Sequence, residues 1–326
     1  MVRIIWIVAL GLATWIVAQL PIDAVLQSIA RLRLIDWLLW VGLNVLVIVL
    51  LTGRWVVLTR AMGLGVSFTQ LLRIRQAGQL ISFVTPGPQF GGEPLQVHWL
   101  WKRHAVPGHA AFLAVGLDRF YELWINFSVL LVAVLALAAS AGTSLVDWRV
   151  IGLILLGLVL TLALFAWFML RQPERIRDWI ERLTRSWQQH PRLGQLHTHW
   201  SQLHGSLETL VAEKRPALGL AVGLSLLGWA GMIAEFWLLL RLVEVEVGLT
   251  AFLVLFTAMR LAFLMPLPGG IGSVEAGLFW AFSVLALPMP AAAGLIVLMR
   301  LRDVLVLLSG AAMLPGLSSA VTVKVP

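Results

Sequence analysis

Long apolar runs, each about the length of a membrane-crossing helix, alternate with short polar gaps along this chain of 326 residues. A helix rises about 1.5 Å per residue, so about 20 apolar residues cross a hydrocarbon core of about 30 Å. The pattern predicts crossings at about 4–22, 37–58, 109–139, 150–170, 217–243 and 290–314. Two further apolar stretches, about 76–101 and 250–287, are interrupted by helix breakers. The first breaks at Thr85-Pro86-Gly87-Pro88, the second at Pro266-Leu267-Pro268-Gly269-Gly270. Proline removes an amide donor and clashes with the preceding turn, and glycine lets the backbone reverse. The half-helix expected at 76–85 would be about 15 Å long, too short to cross. Each stretch is therefore predicted to be a re-entrant hairpin. Irregular backbone survives at such depth only when it is buried in protein or faces water.

The two breaks follow one pattern. Pro86-Gly87-Pro88-Gln89-Phe90-Gly91-Gly92-Glu93 and Pro268-Gly269-Gly270-Ile271-Gly272-Ser273-Val274-Glu275 both open on Pro-Gly and close on Glu. Asp118-Arg119 follows the first, and Arg300-Leu301-Arg302-Asp303 follows the second at a similar distance. Each half is then expected to run span, span, hairpin, span, with repeats at 1–149 and 150–326. A polar insert at 171–216 carries Trp179, Ile180, Leu183 and Trp187 at helical spacing, as an amphipathic cytoplasmic helix would. Three crossings separate the hairpins. Because that number is odd, they enter from opposite faces, which is inverted topology.

Charge orients this plan. Arg60, Arg73, Arg75, Lys102 and Arg103, the basic residues from Arg171 to Arg215, and Lys324 fall on the side assigned as inner. The outer loops carry Arg31, Arg33 and Arg149, and the 244–249 loop there is acidic through Glu244 and Glu246. Basic loops mark the cytoplasm, so both termini are expected there. Arg3 and the apolar run behind it resemble a signal peptide without an Ala-x-Ala exit, and are expected to stay as the first span. The expected fold class is all-α integral membrane, with about six transmembrane helices plus two re-entrant broken-helix hairpins in inverted-topology repeats.

Composition narrows the chemistry. The chain is 60% apolar and 12% charged, against about 25% charged in soluble domains. Its net charge of +8 sits mostly in the loops, so nucleic acid is not an expected partner. There is no cysteine, which removes disulfides, thiol nucleophiles and Cys-ligated metals. His190, His197, His199 and His204 have no accompanying carboxylate spacing and suit a solvated loop better than a metal site. Neither glycine-rich break contains Gly-Lys-Ser/Thr, so no nucleotide loop is present. No cofactor is expected.

What stands out is charge inside apolar spans. Glu93, Asp118, Arg119, Glu122, Glu235, Arg260, Glu275, Arg300, Arg302 and Asp303 all fall within or beside them. Each unpaired charge costs about 2.5–3.5 kcal/mol at the membrane centre, so the set exceeds the ~5–15 kcal/mol that holds a fold together. They must be paired, protonated or hydrated. Glu122 lies three residues after Arg119 and Asp303 three after Arg300, so each couple shares a helix face. Arg300 and Arg302 point about 200° apart, so only one should face a given cavity. Pro94 at the first helical position would place Glu93 at a cap, and Ser273 could cap a helix with Glu275 in its first turn. Such buried helix starts suit an anionic group. The candidate substrate-binding set is Glu93, Asp118, Arg119, Glu122, Arg260, Glu275, Arg300 and Asp303. Pro86, Gly87, Gly91, Gly92, Pro268, Gly269, Gly270 and Gly272 form the hairpin backbone.

At these residues the chain resembles the flippase-like family that includes the membrane domain of lysylphosphatidylglycerol synthase. The matching pieces are Gly91-Gly92-Glu93 with Asp118-Arg119, and the Pro268–Glu275 block with Arg300, across about 70–315. The resemblance implies an all-helical integral membrane protein, often a dimer, that moves a lipid head group between leaflets, and a homodimer is the expected assembly. The chain shows no stretch like the synthase's soluble aminoacyltransferase domain, so lysyl-lipid synthesis is not expected. The leading expectation is a bacterial inner-membrane lipid flippase, not an enzyme and not driven by ATP. In it Arg119, Arg260 and Arg300 pair with phosphate, and Glu93 and Glu275 receive a proton or an amine. A polyprenyl-phosphate carrier is the second reading, and a membrane-embedded lipid-modifying enzyme built on Asp118 and Glu122 the third.

Overall fold

The computed structural model describes residues 32–85, 91–140, 146–171, 205–207 and 209–314, and no strand occurs among them. The expected crossing at 4–22, the breaker Pro86-Gly87-Pro88, most of the 171–216 insert and Lys324 lie outside the described residues.

Helix α1 (Leu34–Ala61) opens where Asp36 accepts the Arg33 amide at 2.9 Å. A carboxylate in the first turn suits the positive end of the helix dipole. Helix α2 (Phe68–Val84) opens on a reciprocal cap, in which Ser67 Oγ accepts from the Gln70 amide and Gln70 Oε1 accepts from the Ser67 amide. This cap starts the helix two turns before the expected half-helix at 76–85. With 17 residues, α2 is about 25 Å long, still short of a crossing. Arg73 and Arg75, expected in an inner loop, therefore ride on a helix. Polar residues lower the hydropathy of 69–76, but no breaker interrupts that stretch.

The remaining elements are α3 (Glu93–Arg103), α4 (Gly108–Ala139), α5 (Trp148–Arg171), α6 (Arg215–Leu242), α7 (Leu249–Phe263), a 3-10 turn at Pro268–Gly270, α8 (Ser273–Val284) and α9 (Met289–Met313). Among the described residues four helices are long and apolar enough to cross a membrane: α1, α4, α5 through Phe168, and α6. Helix α9 covers the expected crossing at 290–314 with 25 residues, but Arg300, Arg302 and Asp303 interrupt its apolar face. Leucines such as Leu38, Leu153 and Leu164 stand exposed on α1 and α5, where lipid would cover them.

Helices α1 and α6 run antiparallel along each other. Leu51 fills the space beside Gly228, and Val47 that beside Gly231. Asn44 bonds Glu235 while Arg54 reaches Ser225, so position rises on one helix as it falls on the other. Each broken segment leans on the long helix of the other half. Helix α2 meets α9, where Gln76 bonds Ser309 and its carbonyl sits against Gly310. Helix α7 meets α4 through Arg260 and Asn126. Trp229, Phe236, Phe252 and Phe256 form an aromatic core between α6 and α7, with centroids 5.6–6.4 Å apart. A second core surrounds Trp55, whose Nε1 donates to the Ala114 carbonyl.

The second break is packed inside the protein. Pro268, Gly269 and Gly270 are buried. Gly269, Gly270 and Gly272 have φ of 57°, 63° and 87°, a region glycine enters at little cost. A Cβ on Gly269 would strike the Phe83 ring, so the end of α2 rests directly on the other hairpin's turn. On the first side, a Cβ on Gly92 would strike the Gly78 carbonyl.

The caps differ from expectation by one residue. Helix α3 starts at Glu93 with Gly92 before it, and Pro94 is second. Ser273 is the first residue of α8, and its hydroxyl donates to the Ala262 and Gly270 carbonyls. A hydroxyl so engaged ties α8 to α7. The free amide at the turn is taken instead by Glu275.

Candidate functional site

Two charge clusters grow from the two breaks, and they are built alike. In the first, Glu93 Oε2 accepts the Gly91 amide at 2.8 Å, and its Oε1 accepts Arg119 Nε at 2.6 Å. Arg119 also pairs with Glu122, one turn on along α4, at 2.9 Å. In the second, Glu275 Oε2 accepts the Gly272 amide at 2.7 Å, and its Oε1 accepts Arg300 Nε at 2.6 Å. Arg300 pairs in turn with Asp303, one turn on along α9, at 2.8 Å. A carboxylate thus closes each broken backbone, and an arginine from the next long helix clamps that carboxylate.

The second clamp goes further. Arg300 Nη1 donates to the Gly269 carbonyl at 3.1 Å, and Nη2 to the Gly270 carbonyl at 3.3 Å. The glycine turn leaves these buried carbonyls without a backbone donor, and the guanidinium satisfies them where water is scarce.

Each cluster extends to the antiparallel helix pair. Asp118 accepts Arg54 Nε at 2.8 Å on one oxygen and Arg75 Nη1 at 3.0 Å on the other. Arg54, whose side chain is only 1% exposed, also donates to the Asp118 backbone carbonyl. On the other side Arg302 joins Glu235 at 3.2 Å and Asp303 at 3.1 Å. Asp303 therefore bridges Arg300 and Arg302 through its two oxygens. The same sequence offset separates Arg119 from Arg300, Glu122 from Asp303, Arg54 from Glu235, and Asn44 from Ser225.

A cavity of about 260 Å³ lies between these clusters, walled by α1, α2, α4, α6, α7 and α9. Arg119, Glu122, Arg260 and Asp303 reach it. Of the two arginines expected to point apart on α9, Arg302 lines this cavity and Arg300 does not. A smaller space of about 100 Å³ beside it holds Glu93 and Asp118, with Phe83, Arg119 and Glu122 shared between the two. Glu275 is 7% exposed and belongs to the wall behind the second hairpin. Arg260, at the last turn of α7, donates Nη2 to Asn126 at 2.8 Å and lies 4.3 Å from the Trp229 ring.

Arg54 and Arg75 complete the first cluster and were not among the sequence candidates. Arg54 had a visible signal, a lone arginine in the apolar run Leu50-Leu51-Thr52-Gly53-Arg54-Trp55-Val56. Arg75 had none, since its neighbours Arg73 and Gln76 look like a loop. Among the described residues no His, Cys, Asp and Glu group has the makings of a metal site.

Chemically, the arrangement offers fixed guanidiniums, fixed carboxylates and a polar space inside an apolar bundle. Asp118 is held by two arginines and Glu122 by Arg119, so neither is placed as a free general base.

Comparison with known proteins places the chain among membrane proteins. A family model described as the lysylphosphatidylglycerol synthase TM region matches residues 3–310. A UPF0104 membrane protein of Methanothermobacter thermautotrophicus is 24% identical over 294 residues, covering 88% of this chain and 87% of that protein. A UPF0104 membrane protein of Methanocaldococcus jannaschii is 25% identical over 107 residues, 33% of this chain and 32% of that one. No solved structure matches the chain. An all-helical bundle with membrane-length helices, matched along nearly its whole length, belongs to the lysylphosphatidylglycerol synthase transmembrane-region family.

Proposed function

We propose that this protein is a lipid transporter, a flippase that carries a phospholipid head group between the leaflets of a cell membrane through the central cavity. The observation that carries the reading is the pair of matched clusters at two broken helices, both flanking one polar space. Broken helices and charge at membrane depth mark substrate pathways in transporters. A cavity of about 260 Å³ falls below the ~300–1,000 Å³ of whole-ligand pockets. It has room for a head group while the acyl chains stay in the bilayer.

The two halves, 1–149 and 150–326, act as inverted-topology repeats in this reading. The antiparallel α1–α6 pair supports it, because a twofold axis across that pair relates helices that run in opposite directions. So does the exchange of partners, α2 with α9 and α7 with α4. Six crossings and cytoplasmic termini in a bacterial inner membrane complete the proposal. Glu93, Arg119, Glu275 and Arg300 hold the hairpins in shape, and the cavity side chains meet the lipid. Movement follows the lipid's own imbalance or an ion gradient, without ATP and without chemistry on the substrate.

The test is leaflet exchange in vesicles containing the purified protein, with acyl-labelled phospholipids and a quencher added outside. Exchange faster than in protein-free vesicles, and slowed by Arg302→Gln, is expected. Rates equal to empty vesicles for every phospholipid tried would end the transport reading.

A further inference from the structure

One cation in the cavity differs from the rest. Arg54, Arg75, Arg119 and Arg302 each form an ion pair within the wall, and Arg260 forms none among the described residues. Its Nε is buried and has no hydrogen-bond partner. Its Nη2 is held by Asn126 and its face by Trp229, so the guanidinium is fixed in place with one edge unused. A buried guanidinium N–H left without an acceptor is costly, and a monoanionic oxygen would satisfy it. On the same cavity, every described ion pair of Glu122 ends on Oε2. Among the described residues no hydrogen bond ends on its Oε1, and the side chain is 33% exposed.

The charges also add to a definite sum. The first cluster sets three guanidiniums against three carboxylates, and the second sets two against three. Arg260 is the remaining cation, and it brings the two clusters to neutrality when Glu93 and Asp118 in the adjoining space and Glu275 and Arg300 behind the wall are counted with the cavity side chains. A ligand of net charge would leave this low-dielectric space unbalanced, whereas a ligand bearing one charge of each sign would not.

Building on the transport reading, we infer that the cavity takes a net-neutral, zwitterionic head group, a phosphodiester on Arg260 and an ammonium toward Glu122. This assignment separates the substrate from singly anionic phospholipids and from phosphomonoesters on polyprenyl chains.

Two measurements on the full chain test it. In uncharged detergent, lyso-phosphatidylethanolamine raises the thermal unfolding midpoint more than lyso-phosphatidylglycerol does. Arg260→Gln removes that preference while its lipid-free midpoint shows that it folds. Glu122→Gln, which leaves the two clusters and Arg260 together with one excess positive charge, shifts the preference toward lyso-phosphatidylglycerol. In vesicles, acyl-labelled phosphatidylethanolamine crosses faster than phosphatidylglycerol, and Arg260→Gln lowers its rate about tenfold or more, as expected for a hydrogen bond to a charged group. Equal or larger responses to phosphatidylglycerol, or an unchanged response in Arg260→Gln, overturn the assignment. The head-group preference in detergent without any crossing in vesicles upholds the assignment and removes the transport reading. Rapid crossing that favours phosphatidylglycerol does the reverse.

Discussion

Arg300 bonds two carboxylates and two backbone carbonyls, and Glu275 spends one oxygen on that arginine and the other on the Gly272 amide. Side chains so committed stabilise the turn. Arg300→Gln leaves the buried Glu275 carboxylate without its cation and should destabilise the protein by about 3–5 kcal/mol, while Glu275→Gln, which leaves Arg300 still paired with Asp303, should cost less. Thermal unfolding in detergent should find the double variant less damaged than the two losses added together. Additive losses would show that the two side chains do not act as a pair. The carboxylates and the arginines after them were legible in the sequence because charge in an apolar run is conspicuous. Their division of labour was not. Whether an arginine clamps a turn or faces a cavity depends on helix rotation, which placed Arg302 inward and Arg300 on the carbonyls.

At the scale of elements, Pro-Gly punctuation revealed both breaks, since few residues other than glycine tolerate the backbone at Gly269 and Gly270. The start of α2 was hidden, because a polar first turn looks like a loop until the Ser67–Gln70 cap is recognised. The contact of Phe83 with Gly269 was also beyond reach, as no local pattern encodes which hairpin a ring will touch. That contact makes a prediction. Gly269→Ala should lower the unfolding midpoint, through about 1–2 kcal/mol of left-handed backbone cost and a clash with the Phe83 ring. Adding Phe83→Ala should recover the clash and leave the backbone cost. A double variant no better than Gly269→Ala alone would mean that the two hairpins do not bear on each other there.

For the whole molecule, the antiparallel α1–α6 pair places the ends of those helices on opposite sides of the bundle. The chain has no cysteine, so any introduced thiol is the single target for labelling. Gly65→Cys, just after α2's preceding turn, should react with a membrane-impermeant maleimide from the cytoplasmic side, and Glu246→Cys from the outer side. Labelling of both from one face would contradict inverted halves.

The matched positions are not matched in sign. Where one half carries Arg54 the other carries Glu235, at the same offset that relates the two clamping arginines. In the proposed transport cycle, perfectly equivalent halves would make the inward-facing and outward-facing poses equal in energy, each occupied half the time. Swapping a cation for an anion at that point lifts the degeneracy. The empty protein should then wait with its mouth toward one preferred leaflet, and Glu235→Gln, by weakening that inequality, should redistribute the waiting population.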